Sequence, residues 1–364
     1  MVFYPFQKWF NFKKNSDVSH LDDESLMKLA FELAAQGLGF TNPNPSVGAL
    51  IVKAGKIIAW GITQEAGGNH AEVQALNMAG AMSEGSTVYV TLEPCAHHGK
   101  TPPCSLALIE AKIARVVISA VDPNPLVSGK GISQLIQHGV DVHQDCLLSW
   151  GNDFYESFFH WLKTGLPLVV VKTAHSYNGA MNQSNANGQV SVKITQAEMN
   201  TLMHQGRRAS QAIIIGANTL RIDQPQLNIR NYLAGQFENN YLPKVLVSTR
   251  NQLKMDFKLL DYIKGEAEFV ENDNPDSIIS YSILKNLGEK GFHQIWVEPG
   301  PNSAINLWKA LNWDKWIFLR SLSVKIDKNG PWGADSWYPN PHSGIEICKF
   351  GKTKEDQFLI LGKK

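Results

Sequence analysis

The sequence predicts an α/β protein built as two domains, and three observations carry that reading. The chain has 364 residues, which at about 150 residues per domain suits two. Apolar runs of strand length alternate with amphipathic helical stretches along most of the chain, the pattern of sheets covered by helices on both faces. Hydrophobic residues make up 43% of the composition and aromatics 10%, enough for a core in each half and too many for a disordered chain.

In the first half, Leu21 to Gly37 reads as a helix: Leu26, Leu29, Ala30, Leu33 and Ala34 recur at helical spacing, and Asp22, Asp23 and Glu24 suit its start. Pro43 and Pro45 end that pattern. Ser46 to Lys53 and Lys56 to Gly61 are β-branched runs around Ala54-Gly55, a hairpin. A helix over His70 to Ala81, a strand over Thr87 to Leu92 and a helix over Ser105 to Lys112 follow. Next come a strand over Arg115 to Val121, a helix over Gly131 to His138 and a short edge strand over Val140 to His143.

Leu147 to Thr164 is an aromatic helix containing Phe154, Phe158, Phe159 and Trp161, and it reads as the connection between domains. Strands are then expected at Leu168 to Lys172, Gln211 to Ile215, Lys244 to Ser248, Gln294 to Glu298 and Trp316 to Leu322. Helices near Gln196 to Ser210, Ser277 to Gly288 and Ala304 to Leu311 separate them, and Asn182 to Gly188 and Asn231 to Asn240 read as polar loops. The boundaries are residues 1–20 for an aromatic extension, 21–146 for the first domain, 147–165 for the connecting helix and 166–364 for the second domain. The halves do not repeat one another.

Charge narrows the function classes. Lys plus Arg is 34 and Asp plus Glu 33, a formal net charge of +1. That balance argues against nucleic acid or an anionic membrane surface as partner, while a phosphate-sized ligand needs only a local cluster of cations. No apolar run reaches the roughly eighteen residues of a membrane span, and the N-terminus lacks the features of a signal peptide. Four scattered cysteines, Cys95, Cys104, Cys146 and Cys348, fit a reducing, cytoplasmic compartment better than a disulfide framework.

Two of those cysteines carry chemistry. His70-Ala71-Glu72 opens a helix, Pro94-Cys95 follows a strand, and Cys104 opens the next helix. One His and two Cys make three ligands for a tetrahedral zinc with the fourth position left for water. Glu72 then suits proton transfer from that water to a leaving amine, as in the zinc deaminases. A closed structural zinc site would need a fourth ligand from His97, His98 or Cys146, and a polynucleotide-editing deaminase would usually separate its cysteines by two residues, where eight intervene here.

With those residues in hand, the sequence resembles the riboflavin-biosynthesis deaminase–reductase family. The motifs are Asn42-Pro43-Asn44-Pro45 with Val47-Gly48-Ala49, then Thr91-Leu92-Glu93-Pro94-Cys95 through His98-Gly99-Lys100-Thr101-Pro102-Pro103-Cys104, and Asp122-Pro123-Asn124-Pro125 with Gly129-Lys130-Gly131. The resemblance implies a cytidine-deaminase-like α/β/α first domain that removes an amino group, as ammonia, from a diamino-(phosphoribosylamino)pyrimidinone. One zinc per chain would rest on His70, Cys95 and Cys104, with Glu72 as proton shuttle and Asn44 on the pyrimidine or its sugar. His97, His98, Lys100 and Thr101 are further donors suited to the substrate phosphate.

The second half resembles that family's reductase domain, with a dihydrofolate-reductase-like fold. Lys172 to Gly179, His204-x-x-Arg207, Gly216-x-x-Thr219, Asp223-x-Pro225-x-Leu227, Arg230 and Val297 to Pro301 come in the family's order. The resemblance assigns NADPH to Ala174, Thr219, Asp223, Ser248 and the Gly300 turn, and substrate to Arg207, Leu227, Arg230 and Glu298. Physically, Arg207 and Arg230 suit a phosphate because a guanidinium grips it with paired donors. The reaction would reduce the ribosyl group to ribityl. Two residues depart from the pattern: Asn178 stands where the family has Asp, and Lys193 where it has Trp. Asn lacks the charge and Lys cannot stack, which leaves a second reading of a deaminase whose C-terminal domain is a dimerisation scaffold. A homo-oligomer is expected on either reading.

Overall fold

In the computed structural model, described for residues 13–96, 102–124, 128–181, 183–185, 188–190, 194, 197–229, 241–250, 256–274, 277–324, 338–339, 344–353 and 356–363, the chain forms two units, one ending at Thr164 and the next beginning at Gly165. The aromatic stretch Met1 to Phe12 and the polar stretch Asn231 to Asn240 lie outside the described residues. No helix among the described residues is long and apolar enough to cross a membrane.

The first unit starts with α1 (Asp23–Gln36), where the Asp22 carboxylate accepts the Ser25 amide at 2.9 Å and so satisfies one of the first-turn donors. Strands β1 (Gly48–Lys53) and β2 (Lys56–Ile62) pair antiparallel across Ala54 and Gly55, both with positive φ, the geometry that matches hairpin twist. The chain continues through α2 (Ala71–Ala79), β3 (Thr87–Leu92), α3 (Cys104–Glu110), β4 (Arg115–Ala120), α4 (Lys130–Gln137), β5 (Asp141–His143) and α5 (Leu148–Thr164). The sheet order is β2-β1-β3-β4-β5, with β3, β4 and β5 parallel and β5 at an edge as its exposed residues require.

Helix α5 does more than connect. Phe154, Tyr155 and Phe158 are buried in the first unit's core, and the Phe31 and Phe154 rings lie 5.3 Å apart. The Tyr155 hydroxyl lies 2.6 Å from Thr91 Oγ1 and donates to the Ser46 carbonyl at 3.1 Å. The reading of residues 147–165 as a separate connector therefore needs revision: aromatic burial makes the helix an integral layer of this unit.

In the second unit the parallel strands are continuous apolar runs, as burial on both faces demands. They are β6 (Leu168–His175), then, after the short pair β7 (Gln183–Asn185) and β8 (Gly188–Val190) and helix α6 (Ala197–Ala209), β9 (Ala212–Gly216). Helix α7 (Ala217–Asp223), β10 (Lys244–Thr249), β11 (Ala267–Glu271), α8 (Tyr281–Glu289), β12 (Gln294–Glu298), α9 (Pro301–Ala310), β13 (Lys315–Ser321), β14 (Ile345–Lys352) and β15 (Asp356–Lys363) complete the order. The main sheet runs β11-β10-β9-β12-β6-β13-β15-β14. Its core includes the fully buried Trp296, Trp313 and Trp316.

Four elements, α7, β11, β14 and β15, have no counterpart in the sequence expectations, and Asn182 to Gly188, expected as loop, contributes to the β7–β8 hairpin. Strand β11 buries only Phe269, and β14 is exposed along most of its length. Both are edges, formed by pairing to a neighbour rather than by an apolar period.

Candidate active sites

The first site is assembled from three element ends. His70 is the N-cap of α2, with φ −71° and ψ 162°, so its ring projects from the helix start while Glu72 sits in the first turn. Helix α2 can lie this close to the sheet because residue 61 is Gly: a Cβ there would be 2.1 Å from the Ala71 carbonyl oxygen. Cys95 follows β3 and Cys104 opens α3. Their sulfurs lie 3.6 Å and 3.2 Å from His70 Nδ1, and the Cys104 amide donates to Cys95 Sγ at 3.3 Å.

These three ligand atoms lie within 4.8 Å of one another. Bonds of about 2.3 Å to sulfur and about 2.0 Å to nitrogen in a tetrahedral zinc site need a similar spacing, so the nitrogen and two sulfurs present fit that metal. Glu72 is buried, with 4% exposure. Burial, reinforced by the Cys95 thiolate, pushes its carboxyl up to about 7. The Cys104 thiol donates to Cys95 and holds it down to about 4, while Cys104 itself is pushed up. One thiolate thus stands ready to bind a cation, and metal binding displaces the proton from the other.

The Pro94-Cys95 peptide is fixed from behind by a residue the sequence reading quoted without a role. Glu93 accepts the Gly129 amide on Oε2 at 3.0 Å and the Gly131 amide on Oε1 at 3.0 Å. Burial raises its carboxyl, and those amides, with that of Ile132, oppose the rise. It thereby caps α4, so the Thr91–Cys95 and Gly129–Gly131 motifs form one joint. Ser105 Oγ also donates to the Cys95 carbonyl at 2.9 Å. Asn44 is half-buried in a turn closed by its amide on the Thr41 carbonyl and by Thr41 Oγ1 on its own carbonyl, each at 3.0 Å. His97, His98, Lys100 and Thr101 lie outside the described residues.

The second unit holds a cavity of about 1080 Å³ at the C-terminal ends of its parallel strands, where ligands of open α/β sheets bind. Ala174, Thr219, Asp223, Ser248 and Gly300, expected around NADPH, all line it, as does Glu298. Gly300 is the N-cap of α9, whose first-turn amides face an anion favourably. A dinucleotide fits both the volume and this lining.

Arg207 behaves differently from the expected phosphate clamp. Its Nε and Nη2 donate to Glu298 Oε1 and Oε2 at 2.7 and 3.0 Å, and Nη1 donates to the Asn228 carbonyl at 3.2 Å. The guanidinium is spent on protein acceptors, so a substrate phosphate would have to displace one. Burial would raise the Glu298 carboxyl, yet Arg207 and Lys172 hold it down to about 2. Leu227 is buried with φ 48° and is not part of the described lining. Arg230 lies outside the described residues, as does Lys193.

Lys172 opens one of the motifs shared with the family, but the sequence alone assigns it no role. It sits in β6 beside β12, whose Val297 pairs with Val171, and it lines the cavity with Glu298. Burial lowers its pKa, the Glu298 carboxylate works against that, and Arg207 adds to it. The alternation along β6 was the available signal: a lysine inside a buried run. His175 is fully buried, with Nε2 2.8 Å from Thr173 Oγ1 and Nδ1 3.1 Å from the Gly179 carbonyl. Burial lowers its pKa to about 4, so it is neutral.

Known proteins match both units. The chain matches the cytidine and deoxycytidylate deaminase zinc-binding region over residues 21–120 and the RibD C-terminal domain over residues 167–319. It is 41% identical over 208 residues to riboflavin biosynthesis protein RibD of Aquifex aeolicus, an alignment covering 57% of this chain and 58% of that one. With the protein of the same name from Escherichia coli it shares 34% identity over 315 residues, covering 80% of this chain and 85% of the relative. The crystal structure of a diaminohydroxyphosphoribosylaminopyrimidine deaminase/5-amino-6-(5-phosphoribosylamino)uracil reductase from Thermotoga maritima superposes with a TM-score of 0.77 at 29% identity, covering 94% of this chain and 99% of that one. The chain therefore belongs to the RibD family of riboflavin biosynthesis, and carries both its zinc-binding deaminase region and its RibD C-terminal domain.

Proposed function

We propose that this chain carries out two consecutive steps of riboflavin biosynthesis: zinc-dependent hydrolytic deamination of a diamino-(phosphoribosylamino)pyrimidinone on the first unit, then NADPH-dependent reduction of its ribosyl group to ribityl on the second. The observation that carries the reading is that one chain holds both a His70–Cys95–Cys104 triad with a buried carboxylate beside it and a cavity lined by the residues expected around the cofactor.

His70, Cys95 and Cys104 would hold zinc, which would supply Lewis-acid activation of a water for attack on the amidine carbon. Glu72, poised near neutrality by burial, accepts a proton from that water and delivers it to the departing ammonia. Asn44 orients the pyrimidine or its sugar. In the second unit bound NADPH would supply the hydride. Ala174, Thr219, Asp223, Ser248 and Gly300 would hold the cofactor, while Glu298, kept ionised and aimed by Arg207 and Trp296, would face the sugar; Leu227 and Arg230 would complete the substrate set.

The substitution at Asn178 does not favour the scaffold reading. Its Oδ1 accepts from Ser176 Oγ at 2.9 Å, which keeps it within its own turn, and the described cavity lining does not include it. Self-association remains part of the proposal, supported by β14, an edge strand with Ile347 59% and Phe350 58% exposed. A cytoplasmic location accords with four free cysteines.

The test is to incubate purified protein with the diaminopyrimidine substrate and NADPH, following ammonia release and NADPH oxidation separately. Both signals are expected. Ammonia without NADPH oxidation, even when the deaminated intermediate is supplied, would establish the scaffold reading instead.

A further inference from the structure

Helix α5 carries one buried hydroxyl that joins two segments of the first site. Tyr155 is 2% exposed and Thr91 is fully buried, and their hydroxyl oxygens lie 2.6 Å apart. The Gly48 amide donates to Thr91 Oγ1 at 3.1 Å, and the Tyr155 hydroxyl donates to the Ser46 carbonyl at 3.1 Å. Each hydroxyl has one proton to give. Tyr155 spends its own on Ser46, so Thr91 is the donor between the two. Burial raises the phenol's pKa and the Thr91 bond opposes that rise, as a bond donated to the phenolic oxygen does. The direction of the relay is therefore fixed: Gly48 to Thr91, Thr91 to Tyr155, Tyr155 to the Ser46 carbonyl. It begins and ends on the segment that enters β1.

Ser46 follows Asn44 with Pro45 between them, and Thr91 opens the run that ends at Cys95. Resting on the proposed deamination, we infer that Tyr155 is a positioning residue for it. The hydroxyl locks the turn bearing Asn44 against the end of β3 that leads to Cys95, and so sets how tightly the pyrimidine binds at the metal site. Other bonds tie the same turn elsewhere. Ser46 Oγ donates to the Ala34 carbonyl in α1 at 2.6 Å, and the Val47 amide donates to Thr63 Oγ1, just past β2, at 3.0 Å. The β1–β3 ladder itself stops at Ala49 opposite Val90, and the relay through Tyr155 carries that connection on to Ser46 and Thr91. Without the tyrosine proton the Ser46 carbonyl loses this donor in a dry interior, where an unmade bond is costly. The ring is a separate matter: it lies 5.0 Å from Phe154 and 5.8 Å from Phe159, contacts that a phenylalanine would keep.

The test uses the full-length, zinc-loaded protein and two readouts: ammonia-release kinetics with the diaminopyrimidine substrate, and amide hydrogen exchange over residues 41–48. Tyr155→Phe should raise KM about tenfold. Its kcat should stay within about twofold of wild type, with zinc content unchanged. Exchange over residues 41–48 should speed up by about tenfold as the turn loosens. Thr91→Val cuts the same relay one link earlier and should give the same pattern, whereas Thr91→Ser, which keeps the hydroxyl, should keep the wild-type KM. Because the two residues act in one chain, Tyr155→Phe combined with Thr91→Val should be little worse than the stronger single variant. The Thr91 pair carries the test by itself should Tyr155→Phe fail to fold. A wild-type KM or a wild-type exchange rate in Tyr155→Phe overturns the inference, and so do additive losses in the double variant. Loss of zinc together with kcat also overturns it, since the relay would then support the metal and not the substrate turn. Faster exchange in Tyr155→Phe, in a protein whose wild type releases no ammonia, would sink the deaminase reading and keep the joint.

Discussion

Arg207 grips Glu298 through two parallel hydrogen bonds, Nε to Oε1 at 2.7 Å and Nη2 to Oε2 at 3.0 Å, with side chains only 8% and 17% exposed. Trp296 Nε1 adds a third donor to Oε1 at 2.8 Å. Burial works against the ionised carboxyl, but Arg207 and Lys172 hold it at about 2, below its ordinary value of 4.5. A carboxyl lowered on folding stabilises the fold fully above its unfolded value and loses that contribution as pH falls through the folded one. The second unit is therefore expected to lose about 3 kcal/mol between pH of about 4.5 and about 2. Arg207→Ala leaves the carboxylate buried without its main partner and should cost about 3–5 kcal/mol at neutral pH. Urea denaturation followed across that pH range checks both; an Arg207→Ala midpoint equal to wild type would refute the coupling.

A second prediction concerns the metal. Glycine at position 131 lets the start of α4 press against the loop carrying Cys95: a Cβ there would lie 1.9 Å from the Pro94 carbonyl oxygen. Gly131→Ala must push either α4 or the Pro94-Cys95 peptide aside, so zinc affinity should fall about 10–100-fold, the usual effect of disturbing what supports a ligand. Glu93→Gln, which keeps the shape and weakens the cap, should give a smaller loss. Competition with a chelator of known affinity measures this, and an unchanged zinc affinity in Gly131→Ala would show that the joint does not position Cys95.

How much of this was legible in the sequence differs between the units. The first unit's elements follow local rules: Asp22 caps α1, Ala54-Gly55 turns the hairpin, and His70, Cys95 and Cys104 each stand at an element end, so their convergence could be anticipated. That Glu93 reaches across to Gly129 and Gly131 could not, because nothing local couples residues nearly forty positions apart. In the second unit the expected cofactor residues do share a cavity, yet Arg207 looked like a ligand because arginine suits phosphate. Its partner is set by the β12–β9 pairing and the placement of α6, which only the fold decides. Lys172 was hidden for the opposite reason: within an apolar strand its charge looked incidental, until its neighbour on β12 proved to be Glu298.

Zinc removal should separate the two activities. His70, Cys95 and Cys104 belong to the first unit, and the cavity residues belong to the second, which has its own core. Chelation, or Cys104→Ser, should abolish ammonia release while NADPH oxidation with the deaminated intermediate continues at close to the wild-type rate. Glu72→Gln should lower deamination by about 10²–10⁴-fold with zinc content unchanged by elemental analysis. Loss of zinc in Glu72→Gln would instead make that carboxylate part of the metal's support.

The last prediction isolates Lys172. Among the described lining residues it is the only lysine, and it stands on β6 next to the Glu298 end of β12. An ammonium whose pKa is lowered by burial gives up a proton more readily than a surface lysine, and this one lies at the end of the cavity assigned to the sugar. Lys172→Met keeps the length and the apolar stem but removes both charge and proton. NADPH should still bind at close to wild-type affinity, because Ser248, expected on the cofactor, ends β10, three strands from β6. Reduction should slow by about 10²-fold or more if the ammonium assists the reacting sugar. Removing the cation should also raise the Glu298 carboxyl, which Lys172 helps to hold down, so the pH dependence of reduction should shift upward. Normal reduction with an unshifted pH profile in Lys172→Met would reduce the residue to a packing role.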